Sequence, residues 1–192
     1  MQIITYPHPT LRKQSKPLRR VDTDLRRMVR QMFDLMYAAE GVGLAANQVD
    51  LPLRFFIVNL DAAEGKGEEL VFINPVISQT KGSDESEEGC LSLPGLYGNV
   101  VRPKQVLVNA YNLSGEEIKL KVSGLFSRVI QHELDHLNGV LFPDRMSTTA
   151  IAEVRPTLEE FEADFTSRRG TGGIPTDAEI ATHWAEWERM FC

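Results

Sequence analysis

The sequence has few cysteines and no long apolar segment. Only Cys90 and Cys192 are present, too few for the disulfide framework of a small secreted protein. No apolar run approaches the roughly 20 residues that a membrane span needs, and the N-terminus lacks the charged and apolar regions of a secretory signal. We therefore expect a reducing, cytoplasmic environment without membrane association, where an internal cysteine serves as a metal ligand or nucleophile.

The sequence also lacks an excess of positive charge. Its formal net charge is −6, whereas a nucleic-acid-binding protein usually carries a basic surplus. The lysines and arginines of residues 11–30 are interpreted as a solvated face, so no specific nucleic-acid partner is expected. Hydrophobic residues make up 42% and charged residues 25% of the 192 residues, which is typical of one globular domain.

Helical periodicity appears in two segments that matter for the fold. Apolar residues from Leu25 to Tyr37 recur on one helix face, predicting a helix over residues 24–40 that packs against the core. A second helix is predicted over residues 124–138, ended by Gly139. Further helical pattern follows in residues 151–169 and 180–191, where the tryptophans are interpreted as packing residues.

Segments rich in β-formers lie between the two helices. Strands are predicted for residues 53–60, 70–77, 99–102, 106–112 and 118–122, with residues 80–88 as an acidic loop. We predict an α+β fold in which small, mostly antiparallel sheets surround the helix that carries His132. The N-terminal helix packs outside, residues 1–146 form the catalytic domain, and residues 147–192 form its helical C-terminal extension.

The segment His132-Glu133-Leu134-Asp135-His136 carries the main chemical signal. Histidines four residues apart in a helix lie on one face, so both imidazoles can bind one ion. A divalent metal lowers the pKa of a water molecule, and Glu133 can take and return its proton as general base and acid. The segment therefore predicts a metal-dependent hydrolase.

Cys90 is the candidate for the third ligand. A catalytic site needs about three protein ligands and one open position, and Cys90 is the only cysteine away from the C-terminus. Gly89, directly before it, allows close backbone approach. A thiolate suits iron, zinc, cobalt or nickel, but neither magnesium nor calcium.

Three segments resemble the signature motifs of the peptide deformylases, in the family's order. They are residues 41–48 (GVGLAANQ), 88–92 (EGCLS) and 131–136 (QHELDH), and residues 6–12 are similar to that family's opening. The resemblance covers about residues 1–146. It implies removal of the formyl group from the N-terminal methionine of new bacterial-type polypeptides emerging from the ribosome.

The resemblance also implies a ligand set and roles for single residues. Cys90, His132 and His136 would bind one divalent metal ion, ferrous iron natively, with zinc, nickel or cobalt as alternatives. The Gln48 amide and the Leu91 N–H match the family's donors to the oxyanion. We expect a monomer or a weak dimer.

The expected substrate-binding residues surround the same site. Gly43 would let a peptide pair with the chain like an added strand, and Gly89 would allow similar close approach. Helical spacing places Leu125 and Val129 on the face of His132. With Val42 and Leu44, they are the predicted walls of the methionine pocket.

Two features depart from the family pattern. Arg128 stands where the family commonly keeps an apolar residue, and it would either reach the pocket rim or contact substrate carbonyl groups. The tail after residue 146 is longer than the pattern requires, and its role is unassigned.

Two other functions are consistent with parts of this pattern. A zinc metalloprotease also uses His-Glu-x-x-His, with a downstream glutamate as third ligand, and Glu153, Glu159 and Glu160 are available. A non-catalytic metal-binding module would need a fourth protein ligand. The remaining histidines, His8 and His183, have no ligand spacing.

Overall fold

The computed structural model describes residues 1–192, which form four helices and seven strands. The helices are α1 (Thr23–Ala38), α2 (Gly124–Leu137), α3 (Thr148–Gly170) and α4 (Asp177–Phe191). The strands are β1 (Gly43–Ala45), β2 (Phe55–Val58), β3 (Leu70–Lys81), β4 (Asp84–Cys90), β5 (Leu93–Arg102), β6 (Gln105–Tyr111) and β7 (Glu117–Ser123). Short 3₁₀ turns span Pro9–Arg12, Ala46–Val49 and Phe142–Arg145.

Five strands form an antiparallel sheet in the order β1-β2-β3-β6-β7. Successive side chains of strand β2 point to opposite faces of the sheet, and those on both faces are buried. Phe55 and Ile57 belong to the core cluster that contains the α1 residues. Phe56 and Val58 belong to the cluster on the α2 side. The sheet is therefore covered by a helix on each face.

Helix α1 forms as the sequence pattern predicts. The Asp22 carboxylate accepts a hydrogen bond from the Leu25 N–H at 2.9 Å and caps the first turn. The apolar stripe that includes Met28, Met32 and Met36 is buried against the sheet. This packing confirms the predicted outer helix.

Helix α2 contacts both sheets of the fold. Val129, Ile130 and Leu137 pack against the five-stranded sheet. The polar side of the helix faces the two-stranded β4–β5 hairpin, which it meets through His132 and Asp135. The predicted α+β fold with antiparallel sheets is confirmed, and the contacts of α2 are consistent with its predicted central place.

The prediction of a loop over residues 80–88 is wrong. Strand β3 continues to Lys81, and β4 begins at Asp84 and pairs with β5 from Asp84↔Arg102 to Gly89↔Tyr97. Residues 84–87 are all exposed, so no alternation of apolar and polar residues marks the strand. Pairing with a strand farther along the chain determines this hairpin.

The C-terminal extension is helical, as predicted. Helix α3 buries no residue completely, but Val154, Leu158 and Phe161 pack on the cluster formed by the β5 side chains and Phe142. Helix α4 inserts Phe191 into the α1 cluster, with Trp187 packed beside it. No helix of the chain has both the length and the apolar character required to cross a bilayer.

Candidate active site

Three donor side chains converge between α2 and the β4–β5 hairpin. Cys90 ends β4, and His132 and His136 lie one turn apart on α2. The Cys90 Sγ lies 3.2 Å from the His136 Nε2, which lies 3.2 Å from the His132 Nε2. The three donor atoms all lie within 4.8 Å of one another. The structure thus brings together the predicted ligand set.

The donor set fits a divalent transition metal. Nitrogen and sulfur ligands at about 2.0–2.3 Å from one ion lie roughly 3.3–3.8 Å apart in tetrahedral geometry, close to the spacing of the donor atoms here. Both histidines present Nε2 to the same point. A thiolate with two imidazoles favours iron, zinc, cobalt or nickel over magnesium and calcium.

Glu88 determines the orientation of His132. Its carboxylate lies 2.9 Å from the His132 Nδ1, so this nitrogen carries the proton and Nε2 keeps a free lone pair toward the metal position. Burial alone would raise the pKa of Glu88, but hydrogen bonds from His132 and Arg102 hold that pKa well below its usual range. Glu88 is therefore ionised and holds the His132 ring through Nδ1, away from the nitrogen that faces the metal position.

Arginines surround the Glu88 carboxylate. Arg102 donates to both of its oxygens at 2.6 and 2.9 Å, and also to Asp135 at 2.8 Å. Asp135 in turn accepts two hydrogen bonds from Arg145. Buried charges require such partners, since an unpaired buried ion is strongly destabilising.

These roles of Glu88, Arg102, Asp135 and Arg145 were not predicted. The only signal in the sequence is the place of Glu88 beside Gly89 and Cys90.

Arg128 belongs to the same network. Its guanidinium donates to Glu88 at 2.7 Å, to the Val100 carbonyl at 2.9 Å and to the Asp84 carbonyl at 3.0 Å. Only 11% of its side chain is exposed. Arg128 lines the cleft, but these bonds use its head group to join α2 to the hairpin.

The Glu133 carboxylate is buried beside the donor atoms. The residue is 4% exposed, and its Oε2 has no hydrogen-bond partner within the protein. Burial raises the pKa of Glu133 to about 7, against the lowering effect of the nearby Arg102 guanidinium. A carboxylate with a pKa near neutrality suits a general base that later returns its proton.

Gln48 lies beside Cys90 in the same cleft. Its Oε1 accepts a hydrogen bond from the Ala45 N–H at 2.8 Å, which fixes the amide orientation. Its Nε2 points to Ser92 Oγ at 3.2 Å and to Cys90 Sγ at 3.4 Å. The Leu91 N–H donates to no acceptor within the protein. Both N–H groups are thus placed beside the donor cluster.

A cleft of about 570 Å³ opens onto this site. Its lining includes most of the predicted substrate-binding residues, namely Val42, Gly43, Gly89, Leu125 and Val129, as well as Gln48, Cys90, Leu91, His132 and Glu133. Leu44 is the exception. It is fully buried in the α1 cluster and does not line the cleft, because its strand position directs the side chain into the core.

The glutamates of the protease alternative do not join the site. Glu153, Glu159 and Glu160 lie on α3, and the metal-ligating cluster consists of Cys90 and the two α2 histidines alone. No fourth protein ligand accompanies these three, so the cluster has the open position of a catalytic site and not the closed shell of a structural one.

Comparison with known proteins gives concordant matches. The sequence model of the polypeptide deformylase family matches residues 1–151. A peptide deformylase of Rhodopirellula baltica is 49% identical over 191 residues, covering 100% of this chain and 95% of the relative. The crystal structure of Arabidopsis thaliana peptide deformylase 1B with an inhibitor superposes with a TM-score of 0.85 at 39% identity, covering 92% of this chain and 97% of that one. A Plasmodium falciparum peptide deformylase superposes with a TM-score of 0.84 at 40% identity, covering 86% and 98%.

Proposed function

The chain belongs to the polypeptide deformylase family and removes the N-formyl group from the N-terminal methionine of new polypeptides, and we propose that it does so in the cleft beside Cys90. One observation carries the assignment of the site. Three metal-donor atoms lie together beside a cleft that is also lined by a buried carboxylate with a near-neutral pKa and by the two residues that carry the N–H groups. Cys90, His132 and His136 would hold the metal ion.

Glu133 is the proposed proton carrier. A divalent metal, when bound, supplies Lewis acidity that lowers the pKa of water and polarises the formyl carbonyl. Glu133 takes the proton of the attacking water as the new C–O bond forms at the formyl carbon. It then gives this proton to the leaving amine as the C–N bond breaks, and formate and the free N-terminal amine are released.

Gln48 and Leu91 are the proposed oxyanion donors. The formyl oxygen gains negative charge as water adds, and fixed N–H groups stabilise that charge by several kcal/mol, on the order of 3–4 per donor. The Gln48 amide is held by Ala45, and the Leu91 N–H is unpaired within the protein. The Leu91 N–H is therefore free to donate, and the Gln48 Nε2, which contacts Ser92 Oγ and Cys90 Sγ, is already held beside the site.

The methionine side chain is proposed to enter the apolar part of the cleft. Val129 and Leu125 lie one and two turns before His132, and Val42 lines the same space. Strand β1 is an edge strand of the five-stranded sheet, so its free backbone groups at Gly43 can pair with an extended peptide. Gly89 adds backbone surface without a side chain.

Ferrous iron is the metal we propose for the native enzyme, with zinc, nickel or cobalt as substitutes. The support is the donor set, since one thiolate and two imidazoles suit each of these ions. Metal analysis of anaerobically purified protein tests the assignment. A preparation that contains stoichiometric zinc and no iron would contradict it.

The proposed partners are formylmethionyl peptides emerging from the ribosome, in the cytoplasm. The similarity to a deformylase from the bacterium Rhodopirellula baltica supports this location. The chain is proposed to act as a monomer or weak dimer, which sedimentation analysis over a concentration series would test.

Formate release from formyl-Met-Ala-Ser tests the proposed site. Wild-type protein loaded with Fe(II) or Zn(II) is expected to release formate, and both Glu133→Gln and Gln48→Ala are expected to lose most of that activity. Full activity in both variants would overturn the proposed assignment of the site.

A further inference from the structure

Asp50 ends the 3₁₀ turn that carries Gln48. It stands two residues after Gln48 in a left-handed conformation, with φ +63°, and its N–H donates back to the carbonyls of Ala46 and Asn47. A residue that ends a turn in this conformation helps to fix the orientation of the turn's backbone. The position of Asp50 therefore bears directly on the direction of the Gln48 side chain.

Groups from both ends of the chain hold Asp50 in place. The Thr10 hydroxyl donates to its Oδ1, and the His183 Nε2 donates to its carbonyl at 2.9 Å. The Trp184 indole N–H donates to the Thr10 Oγ1 at 2.9 Å. His183 and Trp184 both lie on α4, so a chain of hydrogen bonds leads from the C-terminal helix to the turn of Gln48.

The N-terminal segment is bonded to the same loops. The Ile4 N–H donates to the Gln48 carbonyl and the Tyr6 N–H to the Ser92 carbonyl, both at 2.9 Å. The Ser92 hydroxyl is itself 3.2 Å from the Gln48 amide nitrogen. Thr10 follows on this segment. Gln48 is thus held through its backbone, its side chain and the end of its turn.

Helix α4 does not line the cleft, and these hydrogen bonds connect it to the turn that carries Gln48. An oxyanion donor is effective only when it is held within a fraction of an ångström of the productive position. We propose that Asp50 is a positioning residue for Gln48, and that α4 supports the reaction through Thr10, His183 and Trp184. This inference rests on the proposed role of Gln48 and assigns a role to the C-terminal extension.

The test measures kcat and KM for formyl-Met-Ala-Ser with the metal-loaded full chain. Asp50→Gly removes the carboxylate and tolerates the positive φ, and Thr10→Val removes the bridging hydroxyl. Both are expected to lower kcat by about 3- to 10-fold, the size of one lost hydrogen bond, with KM and metal content unchanged. Asp50→Asn keeps an acceptor for Thr10 and is expected to retain most of the activity.

A double-mutant cycle separates positioning from a general effect on the fold. In the Gln48→Ala background, Asp50→Gly is expected to cause no further loss of kcat, because its effect passes through the missing amide. Lys16→Gln is the control, since it removes another α4 contact, the ion pair with Glu188, without touching Asp50. It is expected to leave kcat unchanged.

The outcomes are distinguishable. Equal losses from Asp50→Gly with and without Gln48, or an equal loss in Lys16→Gln, would overturn the positioning role and leave the proposed site intact. Full activity of Gln48→Ala would overturn the proposed role of Gln48 and, with it, the premise of the inference.

Discussion

The Glu133 carboxylate lies directly against the α-carbon of Gly43. A methyl group added at Gly43 would meet Glu133 Oε1 at 2.6 Å, closer than such atoms can approach, and its Cδ at a tight 3.0 Å. The backbone of Gly43 does not adopt a positive φ, so only this contact requires glycine. The absence of a side chain at Gly43 therefore creates the space that the Glu133 carboxylate occupies.

Gly43→Ala is expected to displace Glu133 while leaving the metal ligands in place. A displacement of about 1 Å at a catalytic group can cost on the order of 100-fold in rate, so we expect kcat to fall by about that factor with metal content unchanged. Gly170→Ala is the control, because a methyl group there meets no atom within 4 Å. Wild-type kcat in Gly43→Ala would contradict the contact.

Glu133→Gln is expected to keep the metal and lose turnover. The amide has nearly the same shape but cannot take a proton, and proton transfer contributes about 10²- to 10⁴-fold to such reactions. Formate release and metal content should be measured on the same preparation. Glu87→Gln changes an exposed carboxylate that also lines the cleft and should stay active. Loss of metal from Glu133→Gln would argue against its role as a base.

Cys90→Ala is expected to lose the bound metal together with the activity. Two histidines alone leave the site one ligand short of the three that catalytic sites use. Elemental analysis after dialysis measures the loss, and Cys192→Ala, which removes the other cysteine, should retain the metal. Wild-type metal content in Cys90→Ala would favour a different third ligand and contradict the proposed site.

Glu88→Gln is expected to destabilise the protein, because it leaves Arg102 and Arg128 without their shared anion. Breaking a buried ion pair in this way costs about 3–5 kcal/mol in the free energy of unfolding at pH 7. The folded-state pKa of Glu88 is depressed from the ordinary 4.5, so its stabilisation is complete above that pH and is lost as the pH falls toward the folded-state pKa.

Urea unfolding of Glu88→Gln and wild type between pH 7 and pH 3 measures this difference. The gap in unfolding free energy should be constant above about pH 4.5 and shrink below it. Glu85→Gln, an exposed position on the same strand, should differ from wild type by less than about 0.5 kcal/mol. A gap that widens in acid would contradict the assigned pKa direction.

Leu125→Trp is expected to raise KM for formyl-Met peptides by roughly tenfold, since pocket shape changes of this size are worth about 1–3 kcal/mol. Leu125 lines the cleft and is 58% exposed, so the larger ring fits the fold and obstructs the substrate. Val76→Trp is the matched control, because Val76 is 57% exposed and lies outside the cleft. Steady-state kinetics with unchanged KM in Leu125→Trp would remove Leu125 from the proposed pocket wall.

Local sequence pattern was sufficient to predict the main helices and the donor set. The buried stripe of α1 and the shared face of His132 and His136 follow from helix geometry. Residues three and four apart lie on one face of a helix, so both features could be predicted from short stretches of sequence. Cys90 could be predicted because it is the only cysteine away from the C-terminus. These features depend on short-range periodicity or on residue type.

Only the tertiary structure could reveal the support around those donors. Glu88 meets Arg102, Arg128 and His132 across separations of 14, 40 and 44 residues, and no local pattern encodes such pairings. The exposed β4 strand and the inward side chain of Leu44 escaped prediction for the same reason. Burial and strand pairing are decided by which segments meet in space, whereas the sequence alone determined the chemistry that each segment brings.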